Sequence, residues 1–404
     1  MACRAGSTAS GYARRLKIMS APPSRVVIAP DSFKGSLSAP QAAAAIALGL
    51  RRVWADVDLR LVPLADGGEG TLDALLSTGG RRCIASVSGA AGAAIDAAYG
   101  VIAPDTAVIE IAQVVGLTDQ SAVAYPVEQR STRGVGELMR RLLDAGIRRI
   151  MVGLGGSSTN DGGAGLLSGL GLKLLDTEGR EVGPTPAGLA ALARVDASGI
   201  DPRLAQTRIT IMSDVSNPLC GERGATAIFG PQKGVRQEAI AQIDARLARF
   251  AALVEKALGR GAQDRPGAGA AGGLGFALQL LGGELRSGAE IVADQLGLDA
   301  ALDGADWLIT GEGRTDRQTL LGKTPLVAAM RAAAKGVPAT LVSGGIDRNA
   351  LPDLSRHFAG CHSITFGPVT LEACVADAAG LLADRSEQLA RVFGAARCFT
   401  PSPR

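Results

Sequence analysis

Histidine occurs only twice in this 404-residue sequence, and aromatic residues make up 3% of it. His357 and His362 form no H-x-x-H or H-x-x-x-H pair, so a zinc centre or a histidine acid–base catalyst has little to be built from. The six cysteines, at 3, 83, 220, 361, 374 and 398, contain no C-x-x-C pair. A chain of this length needs no disulfide staple, so buried thiols in a reducing, cytoplasmic setting are expected. Long hydrophobic runs are also missing. Stretches such as QAAAAIALGL stop at Arg51 and Arg52, short of the roughly 20 residues a bilayer requires, so no membrane partner is expected. Neither charge dominates: 42 basic and 39 acidic residues leave a formal +3 without a basic stripe, which argues against nucleic acid as a partner. No apolar segment follows the basic positions near the start, so a secretory leader is not expected. Met19, just ahead of the first apolar run, reads as the physiological start, and residues 1–23 read as a disordered extension.

Glycine, by contrast, is abundant at 54 residues. It punctuates apolar runs of four to six residues that alternate with 3.6-period segments, which predicts an α/β protein with mostly parallel strands. RVVIAP (25–30) reads as the first strand. Ser38 and Gln41 then form an S-x-x-Q capping box, and Ile46, Leu50 and Val53 share a face, predicting a helix from about Ala39 to Val53. A second strand ends near Leu64 and a helix starts near Thr71. Further on, DWLIT (306–310), ATLVSGG and SITFGP read as strands, Thr324 and Pro325 as N-cap and first helical residue, and a long helix follows Leu371. The middle region supplies VIEIA, RRIMVGLGG and RITIMSDV as strands. It also supplies a long helix striped by Ile240, Ile243, Leu247, Phe250 and Val254. The expected fold is a doubly wound, mostly parallel α/β domain built from 24–80 and 290–395. A second α/β domain, 81–289, is inserted into it, with the two chain crossings as a hinge.

The residues that carry chemistry cluster where predicted strands end. DSFKGS (31–36), DGGEGT (66–71), GEGRTD (311–316) and SGG (343–345) read as loops that a parallel sheet gathers on one edge, where ligands bind. Their glycines let backbone amides approach an anion. Lys34 and Arg314 add positive charge, and Asp31, Asp66, Glu69, Glu312 and Asp316 add carboxylates. Taken singly, each loop is also an ordinary Asp/Gly turn; together they suit a magnesium-complexed phosphate. GLGGSSTNDGGAG (153–165) repeats the order of strand, glycine turn and helix in the middle region. Free amides near that helix start, with the Ser157, Ser158 and Thr159 hydroxyls, would favour phosphate. Asn160 and Asp161 either cap the helix or face a metal and an acceptor hydroxyl. In SDVSNP (213–218), Asp214 and Asn217 either flank a turn or offer oxygens to Mg²⁺.

Familiar signatures fail elsewhere. LLGKT (320–324) resembles the tail of a P-loop, but the first glycine would fall at Arg317. GAGAAG (267–272) follows QDRP instead of a strand and reads as a flexible lead into the helix GLGFALQLL. The G-x-S-x-G elbow is absent around Ser157 and Ser158, and Cys220 has no recognisable histidine partner, so it reads as a structural thiol.

VVIAPDSFKGSLSA, PLADGGEGT, GLGGSSTNDGGAG, SDVSNPLCGERGA with FGPQKG, and GEGRTDRQTLLGKTP occur in this order. Across about Val26 to Leu389 the chain resembles the bacterial type I glycerate kinase family. The resemblance implies ATP-dependent phosphorylation of D-glycerate, usually to 2-phosphoglycerate, in a two-domain α/β enzyme with its active site in the interdomain cleft. Phosphoryl transfer asks mainly for positioning and charge neutralisation, which such loops supply. On this reading the ATP phosphates lie on Gly155, Gly156, Ser157, Ser158 and Asn160, and Mg²⁺ on Asp214 or Asp66. The glycerate carboxylate pairs with Arg314 or Lys34, with Asp66, Glu69 and Glu312 nearby, and Asp31, Asp161 or Asp316 accepts the hydroxyl proton. A kinase for a related small hydroxy acid, or one forming 3-phosphoglycerate, remains open. A non-enzymatic nucleotide- or metabolite-sensing protein is the reading from a different class.

Overall fold

The structure, a computed structural model, describes residues 22–77 and 79–399. The expected start at Met19 and most of the expected extension lie outside the described residues. The chain begins with β1 (Arg25–Ile28) and β2 (Asp58–Leu61). It then passes through β3 (Arg81–Ser88), β4 (Ala94–Ala103), β5 (Thr106–Glu110), β6 (Arg149–Gly153), β7 (Lys173–Leu175), β8 (Arg194–Asp196), β9 (Arg208–Met212) and β10 (Glu284–Arg286). It finishes with β11 (Trp307–Thr315), β12 (Ala339–Ile346) and β13 (Gly360–Ser363). One sheet has the order β13-β12-β11-β1-β2, with every neighbour parallel. A second has the order β10-β9-β6-β5-β4-β3, parallel from β10 to β5 and antiparallel at the β4 and β3 edge. β7 and β8 form a separate antiparallel ribbon. This is the mostly parallel α/β architecture the apolar rhythm predicts. In the first sheet the chain steps from β1 to β2 on one side and from β11 to β13 on the other, so strand order reverses between β1 and β11. A crevice at the carboxyl ends of the strands follows from that reversal.

β1 is apolar throughout its core-facing length because both its faces are covered. Val26 and Ile28 pack with Trp307, Ile46, Leu50 and Leu382, while Val27 packs on the opposite face with Leu308, Leu341 and Val292. Helix Ala39–Arg51 starts at the expected capping box, in which the Ser38 amide donates to Gln41 Oε1 at 2.9 Å and the Gln41 amide to Ser38 Oγ at 3.3 Å. The apolar cluster around Val27 also takes in Val108, Met151 and Met212 of the second sheet. The two sheets are therefore joined by packed side chains as well as by chain crossings.

Several boundaries differ from expectation. β11 runs through Thr315, so the predicted GEGRTD loop is mostly strand: Glu312 pairs with Ser343 and Arg314 with Gly345. A side chain at Gly311 would put its Cβ 1.9 Å from the Val342 carbonyl oxygen, and the glycine lets β12 close up on this extension. β13 lies upstream of most of SITFGP, in register with Thr340–Ser343. Lys323 is the N-cap and Thr324 the first helical residue. The closing helix is split into Leu371–Ala376 and Ala378–Phe399. Gly267 to Ala270 are buried, so GAGAAG is a packed turn and not a flexible lead. The described cysteines are less buried than expected: 83, 220, 361 and 374 are half-buried and Cys398 is exposed. Burial nevertheless pushes the Cys220 thiol up to about 12, in keeping with a structural role. No helix among the described residues is long and apolar enough to cross a membrane.

Candidate active site

Where strand order reverses, a cavity of about 740 Å³ opens. Asp31 and Lys34 come to it from the loop after β1, Asp66 from the loop after β2, Glu312 and Arg314 from β11, and Asp316 and Lys323 from the turn beyond. Six of the expected residues thus share one wall system, whereas Glu69 is exposed and does not line it. Lys323 was not expected here. Its signal, a lysine just ahead of a Thr-Pro helix start, sat inside LLGKT, which fails only as a P-loop.

The cavity sets buried acids against unpaired bases. Burial, reinforced by the negative charge of Asp66, raises the Asp31 carboxyl to about 7, with the Ser32 amide, donating at 2.6 Å, pulling the other way. Asp214, which is exposed and does not line this cavity, is raised to about 6 by partial desolvation and further by the same Asp66 charge. Burial also raises Glu312, whose Oε1 accepts from the Thr319 hydroxyl at 2.6 Å and the Thr315 hydroxyl at 3.0 Å. These bonds fix Glu312 as part of the wall. Asp316 caps the turn Arg317–Leu321 by accepting from the Gln318 amide at 2.8 Å. Lys34, Arg314 and Lys323 make no ion pair among the described residues, although arginines elsewhere, such as Arg203 and Arg331, each pair with two or more carboxylates. Three unpaired cations around one cavity suit a polyanionic ligand. The Thr324 hydroxyl beside them is buried and faces Asp31, whose carboxyl it pulls back toward the ionised form.

The glycine-serine turn after β6 is built differently from expectation. Ser157 to Asp161 are all buried. Ser158 Oγ donates to the Val115 carbonyl at 2.9 Å and Asn160 Nδ2 to Thr226 Oγ1 at 3.0 Å. Asp161 accepts from the Thr132 amide and hydroxyl at 2.7 and 2.8 Å and from the Gly163 and Gly165 amides at 3.0 and 3.1 Å. The following helix, Ala164–Gly169, has only six residues, and its first amides are consumed by Asp161 and Thr132. Asp161 is therefore an internal strut and not a proton acceptor, and Ser158 and Asn160 have turned inward. Of the expected phosphate cradle only Gly156 is exposed. Behind the turn lies Lys233, which sequence reasoning missed although its FGPQKG segment was prominent. Its Nζ donates to Ser157 Oγ and to the Thr159 carbonyl, both at 2.8 Å. Burial lowers this amine to about 7 against the opposing pull of Asp161. Arg130 braces the same turn through the Ser158 and Lys233 carbonyls at 2.9 and 3.1 Å.

This turn meets the Asp66 loop backbone to backbone. The Gly155 amide donates to the Gly67 carbonyl at 3.2 Å, and a Cβ at Gly155 would lie 2.3 Å from the Gly68 Cα. Glu110, at the end of β5, holds the other side of the loop by accepting from the Gly70 and Leu72 amides at 3.2 and 3.0 Å. Its only signal in the sequence was a lone carboxylate inside VIEIA. Among the described residues no three His, Cys, Asp or Glu side chains converge closely enough to hold a metal by themselves. Asp66 and Asp214 do offer hard oxygens, and Mg²⁺ commonly takes one or two carboxylates and completes its shell with phosphate oxygens and water. That donor set fits.

Comparison with known proteins gives a consistent result. The chain is 43% identical over 379 residues to a glycerate kinase of Bacillus subtilis strain 168, spanning 92% of this chain and 97% of that one. It is 43% identical over 330 residues to a glycerate 2-kinase of Escherichia coli K12, spanning 80% and 85% respectively. A crystal structure from Salmonella typhimurium LT2, provisionally named glycerate kinase 2, superimposes with a TM-score of 0.81 at 41% identity, covering 94% of this chain and all of that one. The model of the Glycerate kinase family matches residues 26–394, and the chain belongs to that family.

Proposed function

We propose that the protein transfers the γ-phosphoryl group of ATP to D-glycerate, forming 2-phosphoglycerate. The observation that carries this reading is the pairing, in one cavity, of three cations without ion-pair partners and a buried carboxylate whose proton affinity is tuned near neutrality. Arg314, whose planar fork matches a carboxylate, takes the acid end of glycerate, and Lys34 and Lys323 take phosphate oxygens. Asp31 accepts the proton of the attacking hydroxyl, and a group poised near 7 suits that exchange at physiological pH. Asp66 and Asp214 would hold Mg²⁺, which supplies neutralisation of charge on the transferring group. Glu312 and Asp316 position the wall from which Arg314 projects.

The family relationship supports the acceptor, and the Escherichia coli relative's name supports the 2-position. Residues 24–80 with 290–395 form one domain and 81–289 an inserted one, the cleft between them receiving the acceptor next to Asp66. The partners are small molecules, not nucleic acid, in a reducing cytoplasm. Phosphorus NMR of the product from Mg-ATP and D-glycerate tests activity and regiochemistry together. A 2-phosphoglycerate signal is expected. A 3-phosphoglycerate signal overturns the regiochemistry, and no product, with turnover of another hydroxy acid in an ADP-release assay, overturns the substrate.

A further inference from the structure

The polar half of the cavity faces a wall of a different kind. Helix Leu371–Ala376 has no buried residue, yet it presents Leu371 and Val375, one helical turn apart, to the cavity. Leu371 is 74% and Val375 40% exposed. Ile346, Ile364 and Ala378 continue the same lining. The segment leading into the helix is tied down: Arg385 donates to the Thr365 carbonyl at 2.8 Å, and its guanidinium lies 4.1 Å from the centre of the Phe366 ring. Leaving a leucine and a valine uncovered beside a cluster of ionised groups forfeits the gain of burying them unless a ligand covers them. Glycerate cannot do so. It is a three-carbon acid, polar at every carbon, and about 740 Å³ is far more room than it needs.

We infer that this wall is the seat of the adenine ring of ATP. This rests on the kinase reading above and extends it to the orientation of the nucleotide. The flat faces of the base cover Leu371 and Val375, while the triphosphate runs toward Lys34 and Lys323 in the same cavity. The arrangement puts the nucleotide on the first sheet and leaves the Asp66 side for the acceptor.

The test uses the full-length protein with Leu371→Ala/Val375→Ala. Because Leu371 is largely exposed and Val375 partly so, the thermal midpoint should stay close to that of wild type. Removing this much apolar cover should weaken ATP binding, measured by calorimetry without glycerate, about tenfold. Binding of inorganic tripolyphosphate, which has the charges but no base, should be unchanged, as should KM for D-glycerate. Leu371→Met, which keeps the apolar cover, should bind ATP like wild type. Equal loss of ATP and tripolyphosphate would reduce the wall to a structural support for the cations. A raised KM for D-glycerate with unchanged ATP binding would assign the wall to the acceptor, and a wild-type protein that binds no ATP overturns the inference outright. A wild type that binds ATP through this wall but phosphorylates no D-glycerate would sink the substrate assignment while leaving the adenine seat standing.

Discussion

Lys233 puts a measurable burden on the fold. In the unfolded chain its amine keeps a proton up to about 10.5, whereas burial brings it to about 7 in the folded protein. Between those values the unfolded state holds one more proton than the native state, so stability rises with pH by about 1.4 kcal/mol per unit. The penalty is fully present below pH 7 and gone above about 10.5, and across the whole window it amounts to about 5 kcal/mol. Lys233→Met removes the titration while filling a similar volume. It also strips the Ser157 hydroxyl and the Thr159 carbonyl of their partner, costing roughly 1–3 kcal/mol for each buried group left unpaired.

The two effects differ in pH dependence, which makes them separable. Urea unfolding of both proteins from pH 7 to 9.5 should show the wild type gaining about 3 kcal/mol relative to the variant, since all other titrating groups are common to both. The variant should match or exceed wild-type stability at pH 6.5 and fall below it at pH 9.5. A stability difference that stays flat across this range would mean that the amine is charged at all these pH values, and the reasoning about its burial would be refuted.

Other consequences follow from the same geometry. Asp31→Asn should lower kcat by about 10²-fold or more through loss of the proton acceptor. In metal-free solution it should also stabilise the fold by as much as about 4 kcal/mol at pH 8, because a carboxyl raised from 3.8 to about 7 costs stability once ionised; the gain should vanish toward pH 4 on thermal denaturation. Arg314→Ala should lower kcat/KM for D-glycerate at least tenfold in a coupled ADP assay, and wild-type kinetics would exclude its role. Gly155→Ala should drive a Cβ into Gly68 and cost roughly 1–3 kcal/mol in urea unfolding, with activity falling as the Asp66 loop shifts. Glu110→Ala should leave the Gly70 and Leu72 amides unpaired, destabilising by roughly 1–3 kcal/mol, with Glu110→Gln retaining part of that stability.

The convergence of Asp31, Lys34, Asp66, Glu312, Arg314 and Asp316 was legible because each lies just beyond an apolar run, and parallel strands bring such ends to one edge. What could not be read was which polar residues look inward. Ser158, Asn160 and Asp161 have the composition of an anion cradle, but their partners Val115, Thr226 and Thr132 lie 29 to 66 positions away in sequence. Lys233 is subject to the same limit, being a lone lysine in a polar turn whose burial depends on a contact 76 positions away. The extension of β11 into GEGRT was hidden because glycine and charge normally mark a loop, while here the sheet neighbour β12 overrides that preference.

Glycine carries a second lesson. In the sequence its abundance at strand ends reads as room for a ligand, yet several of these glycines make room for one another. Cβ atoms at Gly67, Gly153 and Gly155 would lie within 2.3–2.7 Å of backbone atoms of Met212, Gly67 and Gly68, respectively. The Asp66 loop is thereby clamped against the second sheet by main-chain contacts, with Glu110 holding its far end. Side chains alone would allow rotameric play there, whereas this contact fixes Asp66 relative to both Asp31 and Asp214. Any motion that admits nucleotide has then either to break the Gly155–Gly67 hydrogen bond or to occur on the opposite rim. That rim is the helix Leu371–Ala376, which has no buried residue to hold it, and it is the cheaper of the two to move.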